Sequence, residues 1–99
     1  VLCVNTLAAG QEEVSNAFAG LTGLEGEERF QVGSWSRLVT GSPVLDGAVE
    51  SFDCRVREVL VKGTHSVLFA EIEAVRHGRE GSGALVYFGR CYHAVGAAT

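Results

Sequence analysis

Apolar and polar side chains alternate from Ala48 to Val61. Phe52, Cys54 and Val56 fall on one face, and Asp53, Arg55 and Arg57 on the other. A period of two predicts a strand with one wet side. Lys62-Gly63-Thr64 then predicts a tight reversal. His65 to Val75 reads as a second strand, with Leu68, Ala70 and Ile72 alternating against Phe69, Glu71 and Glu73. His77 to Gly83 is polar and glycine-rich, a loop, and Ala84 to Phe88 is a third strand. Three such runs in succession predict an antiparallel meander, with Phe52, Cys54, Val56, Leu68, Ala70 and Ile72 turned to the core.

The first half is patterned differently. Leu2 to Thr6 is β-prone, and Ala8-Ala9-Gly10 turns the chain. Val14, Ala17 and Phe18 then recur at helical spacing, which predicts a short helix over Gln11 to Ala19. Glu12 and Glu13 fall in its first turn, where the helix dipole favours acids. Gly20, Gly23 and Gly26 interrupt the next stretch, and Glu27 to Phe30 forms at most one more helical turn. Gln31 to Pro43 reads as irregular with Trp35 as its anchor, and Pro43 to Gly47 reads as a turn. Residues 94–99 are small and unpatterned and are expected to fray. No repeat or linker divides the chain, so residues 1–99 are read as one domain. The class is mainly β with a short helical insertion, and an antiparallel barrel is the expected closure. Because the chain opens inside an apolar, strand-like stretch, the domain is expected to be incomplete at its N-terminal side.

Composition narrows the function classes. The 99 residues are 46% hydrophobic and 20% charged, the make-up of one small globular unit. Net charge is −4, without a basic block, which argues against nucleic-acid binding. No apolar run approaches the roughly 20 residues that span a bilayer, so no membrane is expected as a partner. Cys3, Cys54 and Cys91 are odd in number and far apart. That spacing argues against a disulfide framework and a structural zinc site. Free buried thiols in a reducing, cytoplasmic compartment are the simplest reading.

Little in the residues alone specifies catalysis. His65 opens a hairpin strand and His93 comes after the last predicted strand. Two satisfied hairpin-end histidines are the simpler reading, and a shared rim that donates to a ligand is the functional one. His77 belongs to the polar loop. Ser15 lacks a base at any readable spacing. Glu71 and Glu73 fit a solvated strand face better than a catalytic pair. The glycines of residues 20–26 do not form a dinucleotide fingerprint. No metal-ligand spacing and no catalytic constellation are present.

Several stretches in order carry a resemblance. Leu2-Cys3-Val4-Asn5-Thr6-Leu7-Ala8-Ala9-Gly10-Gln11-Glu12 leads into Ser15-Asn16-Ala17-Phe18-Ala19-Gly20, and Glu28-Arg29-Phe30 comes next. Then come Gly41 to Leu45, Ser51 to Val56, Gly63-Thr64-His65, and Leu85-Val86-Tyr87-Phe88-Gly89-Arg90-Cys91-Tyr92-His93. The series resembles the flavin reductase-like family, and within it the NADH-dependent FMN reductases of two-component monooxygenases. The resemblance implies a split β-barrel of the FMN-binding type, of which this chain matches the C-terminal portion. It implies FMN, or alternatively FAD, as the flavin, and NADH or NADPH as the reductant. It further implies a homodimer that supplies a partner monooxygenase through diffusible reduced flavin. Asn5, Thr6, Leu7, Gln11 and Ser15 match the flavin edge. His65, Tyr92 and His93 match the nicotinamide rim. Hydride transfer between two cofactors needs no protein acid or base, which agrees with the missing constellation. The alternatives are a flavin- or haem-binding module without reductase activity, and an inactive fragment.

Overall fold

The computed structural model describes residues 1–97. In chain order the elements are β1 (Leu2–Thr6), α1 (Glu12–Phe18), a 3-10 helix (Gly26–Gln31), β2 (Trp35–Ser36) and β3 (Val44–Leu45). These are followed by β4 (Glu50–Lys62), β5 (His65–His77), β6 (Ser82–Phe88) and β7 (Cys91–Ala97). The class is mainly β with one short helix, as the residue pattern predicts. The strands form an antiparallel sheet ordered β1-β4-β5 and two separate ladders, β2-β3 and β6-β7. The single meander is therefore not formed, because β6 is not a ladder neighbour of β5.

Instead, β6 is stitched to the chain just beyond β1. The Ala9 N–H donates to the Gly83 carbonyl at 3.0 Å, and the Leu85 N–H donates to the Leu7 carbonyl at 2.9 Å. One residue earlier, the Thr6 carbonyl accepts from the Val49 N–H at 2.8 Å. Successive carbonyls of an extended chain point opposite ways. Residues 6 and 7 thus join β4 on one side and β6 on the other. Among the described residues the strands do not close into a barrel. The turn out of β5 lies against the start of β4, where the Gly78 N–H donates to the Val49 carbonyl at 2.8 Å. A Cβ on Gly78 would stand 2.0 Å from the Ala48 carbonyl oxygen, so this crossing admits only glycine.

The core is small. Val14, Leu45 and Ala48 are buried together, with Leu7, Val32 and Trp35 packed against them. Two expectations fail here. Of the six residues assigned to the core from alternation, Cys54 is buried, and Phe52, Val56 and Ala70 are half-buried. Leu68 and Ile72 are 50% and 54% exposed. For Leu68 the reason is geometric: among the described residues β1 pairs only with Glu50 to Cys54, and the outer part of the β4–β5 hairpin lies beyond it, whereas Ile72 stands opposite Cys54 on β5, the edge strand of that sheet. Register shifts between Asp53 and Cys54 and between Val56 and Glu58 also break the strict alternation.

Asp53, expected on the wet face, is fully buried. The segment from Arg37 to Pro43 crosses over it. Backbone N–H groups of Val39 and Thr40 each donate to its Oδ2 at 2.8 Å, and the Thr40 hydroxyl donates to Oδ1. Three further departures concern local structure. Pro43 to Gly47 contains strand β3 as well as a turn. His77 ends β5 rather than opening a loop. The tail predicted to fray supplies β7 through Ala97, which places Tyr92 and His93 inside a strand. Residues 98–99 lie outside the described residues. The thiols are free, as expected, but only Cys54 is buried; Cys3 is half-buried and Cys91 is exposed.

Burial alone would raise the Asp53 carboxyl. The hydrogen bonds from Thr40 and Val39, with a smaller contribution from Arg55, outweigh it and hold the pKa below the ordinary 3.8. A depressed folded-state pKa contributes stability that is present above the unfolded value and lost as pH falls through the folded one. Thermal unfolding should therefore show stability declining below about pH 4. Asp53→Asn, which removes the buried charge that these three donors solvate and turns an NH2 group toward the Thr40 hydroxyl, should cost about 2–3 kcal/mol at neutral pH. The variant should also flatten the acid limb of the profile. A variant as stable as the parent at pH 7 would show that this carboxylate does not hold the crossing segment.

Candidate functional site

A cavity of about 450 Å³ opens between β1, α1, the 3-10 helix and the β2-β3 ladder. Its apolar wall comes from residues whose spacing the helix dictates. Val14 and Phe18, four apart on α1, fall on one face, with Ser15 beside them. Phe18, Phe30 and Trp35 all line the cavity and pack on one another. Their ring centroids lie 5.2 Å (Phe18–Phe30), 4.9 Å (Phe30–Trp35) and 5.7 Å (Phe18–Trp35) apart. The first two pairs are edge-to-face, a favoured aromatic geometry. The Trp35 indole N–H is fixed by donation to the Val32 carbonyl at 2.9 Å. The Arg29 guanidinium lies 5.1 Å from the Phe18 ring centre. Polar groups on the same wall are those of Asn5, Ser15 and Ser42. An aromatic-lined hollow with a few fixed polar groups is the general form of a site for a flat heteroaromatic ligand.

Of the five residues assigned to a flavin edge, Asn5, Leu7 and Ser15 line this cavity. Asn5 is nevertheless mainly a structural knot. Its Oδ1 accepts from the Leu45 N–H at 3.0 Å and the Ser51 hydroxyl at 2.8 Å, and its Nδ2 donates to the Pro43 carbonyl at 3.3 Å. Its acceptor is therefore engaged, and only its second N–H is left for a ligand. Gln11 is also structural. Its Oε1 accepts from the Ala8 N–H at 2.9 Å and its Nε2 donates to the Asp46 carbonyl at 3.1 Å. Thr6 is exposed outside the cavity and binds β4 through its backbone.

The expected rim of His65, Tyr92 and His93 is not assembled within one chain. It required the last predicted strand to neighbour β5, whereas β7 pairs with β6. His65 sits at the tip of the β4–β5 hairpin, opposite Lys62, with Nδ1 3.0 Å from the adjacent Thr64 hydroxyl. His93 lies on β7 with Nε2 2.9 Å from the Phe88 carbonyl. Tyr92 turns to α1: its hydroxyl is 2.9 Å from Ser15 Oγ and 2.6 Å from Asn16 Oδ1. The residue pattern did not reveal this contact or the three-ring cluster. The only local signal was the four-residue spacing of Val14 and Phe18; the ring partners come from non-periodic sequence.

Nucleophilic chemistry finds no support at the half-buried Cys3 or at Cys54. Burial, with the nearby Asp53 carboxylate, raises both thiols above their ordinary value and keeps them protonated. Among the described residues no cluster of three or more His, Cys, Asp or Glu side chains could hold a metal ion. No helix among them is long and apolar enough to cross a membrane. A second hollow of about 450 Å³, beside Glu50, His77 and Arg79, is lined by polar and glycine residues together with Val49, Ala84 and Val95. His77 Nδ1 lies 2.8 Å from Glu50 Oε1 there.

The flavin reductase like domain family matches residues 1–96. The chain belongs to that family. It is 54% identical over 92 residues to the FMN reductase (NADH) RutF of Stutzerimonas stutzeri (strain A1501), covering 93% of this chain and 51% of that protein. It is 50% identical over 94 residues to the protein of the same name from Escherichia coli O157:H7 (strain EC4115 / EHEC), covering 95% and 56% respectively. A crystal structure provisionally named as a flavin reductase, from Haemophilus somnus 129PT, superposes with a TM-score of 0.84 at 44% identity, covering 94% of this chain and 58% of that one. Flavin reductase HpaC in complex with NADP+ gives 0.79 at 25% identity, covering 97% and 58%. The chain spans about half the length of the curated relatives it matches.

Within this flavin reductase like domain, Asn5→Ala would leave the Leu45 N–H, the Ser51 hydroxyl and the Pro43 carbonyl without their partner. A loss of about 2–4 kcal/mol in denaturant unfolding is expected, larger than a single neutral hydrogen bond supplies. An unfolding midpoint unchanged from the parent would contradict the structural assignment of this amide.

Proposed function

We propose that the domain forms part of an NADH-dependent FMN reductase that passes reduced flavin to a partner monooxygenase by diffusion. The observation that carries this reading is the cavity lined by Phe18, Phe30 and Trp35, with Asn5, Leu7 and Ser15 on its wall. These residues fit a flavin: the three mutually tilted rings make an apolar wall on which a tricyclic ring system can rest against one ring face, and the amide and hydroxyl can meet its polar edge. Names of the similar curated proteins support FMN and NADH as the pair. Held there, FMN would supply the hydride acceptor for NADH, the products being NAD+ and, with a proton from solvent, reduced FMN. The protein's share is to bind, orient and exclude water. Trp35 and Phe30 present a surface whose tilt is fixed by their packing. Leu7 and Val14 close the hollow on the core side. Asn5, held by its own contacts, keeps one N–H in place without reorganisation.

The reading extends to a homodimer. Val59, Leu60, Val61, Val67, Leu68 and Phe69 are all more than a third exposed on one hairpin, and exposed apolar side chains gathered on one element favour association with another chain. A second copy covering this hairpin would also carry its His65 away from its own chain's cavity and toward another, where the imidazole could serve the nicotinamide.

Two measurements test this in the complete protein. Trp35→Ala should weaken FMN binding roughly five- to 150-fold in a flavin fluorescence titration, since base-sized aromatic stacking is worth about 1–3 kcal/mol. FMN affinity equal to the parent's would remove the cavity as the flavin site. His65→Ala should raise the KM for NADH roughly two- to tenfold while the Kd for FMN stays constant. An unaltered KM and kcat would remove His65 from the nicotinamide site.

A further inference from the structure

Tyr92 is tied to the cavity wall by proton accounting. Asn16 Oδ1 is a carbonyl oxygen and can only accept. The Tyr92 hydroxyl, 2.6 Å away, has one proton and donates it there. With the Asn16 amide presenting Oδ1, the shorter contact takes the single Tyr92 proton, and in the 2.9 Å contact between Ser15 Oγ and the phenolic oxygen Ser15 is then the donor. Ser15 lines the cavity, so what its oxygen offers to the interior is lone pairs alone. The Tyr92 ring is itself fixed, edge-to-face on Tyr87 at 5.2 Å, and the strand register sets Tyr87 opposite Tyr92 on the β6-β7 ladder. The ladder thus fixes the direction of a hydrogen bond on a helix that it does not otherwise join through any ladder.

We infer that Tyr92 is a positioning residue that locks Ser15 as a hydrogen-bond acceptor in the cavity, and that this selects a heteroaromatic ligand presenting an N–H edge. The inference rests on the cavity being the flavin site, and on that basis the recognised group is the imide N3–H of the isoalloxazine. Asn5 cannot substitute for Ser15 in this role, because its own oxygen is taken by Leu45 and Ser51. Ser15 is the side-chain acceptor that α1 brings to the wall, beside the Ser42 hydroxyl from the segment before β3, and its polarity depends on a tyrosine 77 positions away.

The test compares FMN with N3-methyl FMN, using flavin fluorescence titration on the complete protein and its Tyr92→Phe, Ser15→Ala and double variants. The parent should bind N3-methyl FMN at least fivefold more weakly than FMN. Tyr92→Phe keeps the ring and its packing on Tyr87, yet should lose most of that discrimination, as should Ser15→Ala. The double variant should be no worse than either single one, whereas Ser15→Thr, which keeps a hydroxyl, should restore most of the preference. A fold-independent check comes from the parent alone: equal affinity for the two flavins overturns the proposal. So does a Tyr92→Phe variant with full discrimination, or additive losses in the double variant. If Trp35→Ala leaves FMN binding intact, the cavity reading and the proposal fall together. If Trp35→Ala abolishes binding while N3-methylation has no effect, the cavity reading stands and only the Tyr92–Ser15 proposal is lost.

Discussion

The carboxamide of Asn5 holds together parts of the chain that no ladder could join alone. It sits on β1, accepts from the first residues of β4 and the end of β3, and donates back to the residue that precedes β3. One side chain thereby fixes the spacing between a three-stranded sheet and a two-stranded ladder. That spacing is the floor of the cavity, since Asn5, Pro43 and Leu45 all line it. Neighbouring turns are held in the same manner. Gln11 ties the start of α1 to the turn after β3, and Arg76 reaches from β5 to the Leu45 carbonyl at 2.9 Å and to Asp46 at 3.1 Å. The Ser36 hydroxyl, donating to Asp46 at 2.6 Å, and then the Arg76 guanidinium keep that carboxyl below its ordinary pKa. With so few buried apolar side chains, polar side chains that reach backbone groups carry much of the specification.

This division explains what could be read from the residues. The limits of β1, α1, β4, β5 and β6 were legible to within a few positions, because their periodicity is set by the pleat and the helical turn. Burial was less legible. Asp53 occupies a polar slot in a clean alternation, yet it is fully buried because Val39 and Thr40 bring their backbone donors to it. A loop that caps a carboxylate leaves no periodic trace in sequence. Leu68 and Ile72 fail in the opposite direction: Leu68 lies on the outer hairpin beyond β1, and Ile72 sits on the edge strand beside a register shift, so both are about half exposed. The β7 strand was hidden by its small residues, Ala94 and Gly96, which have weak strand preference and are held in a strand that pairs through register with β6.

The candidate site was legible in part, and for the same reason. Asn5, Leu7 and Ser15, assigned to a flavin edge by family resemblance, line the cavity. Thr6 and Gln11, from the same stretch, serve the backbone instead. Resemblance marks a segment, whereas the direction of each side chain is decided by strand alternation and by what lies across from it. Tyr92 shows the converse. It was grouped with His93 as a rim, but neighbours on a strand point to opposite faces. The two residues therefore have different partners, Ser15 and Asn16 for one and the Phe88 carbonyl for the other.

The hairpin beyond β1 is a different kind of surface from the cavity. Its face carries a ladder of ion pairs, Arg55 to Glu73 at 2.9 Å and Arg57 to Glu71 at 3.0 Å, all partly exposed and individually worth little stability. They do more for specificity, since a charged, bulged strand is a poor template for uncontrolled strand addition. The apolar side chains of the outer hairpin remain beside this charged row. A surface of that make-up suits association through a defined, mixed face better than extension of the sheet edge, because a partner strand added at β5 would leave both the ion pairs and the apolar side chains uncovered. The same constraint explains why the cavity half is self-sufficient in hydrogen bonds while the hairpin half is not self-sufficient in burial. Asn5, Gln11 and Arg76 complete one half internally, and no equivalent side chain among the described residues reaches across the outer hairpin.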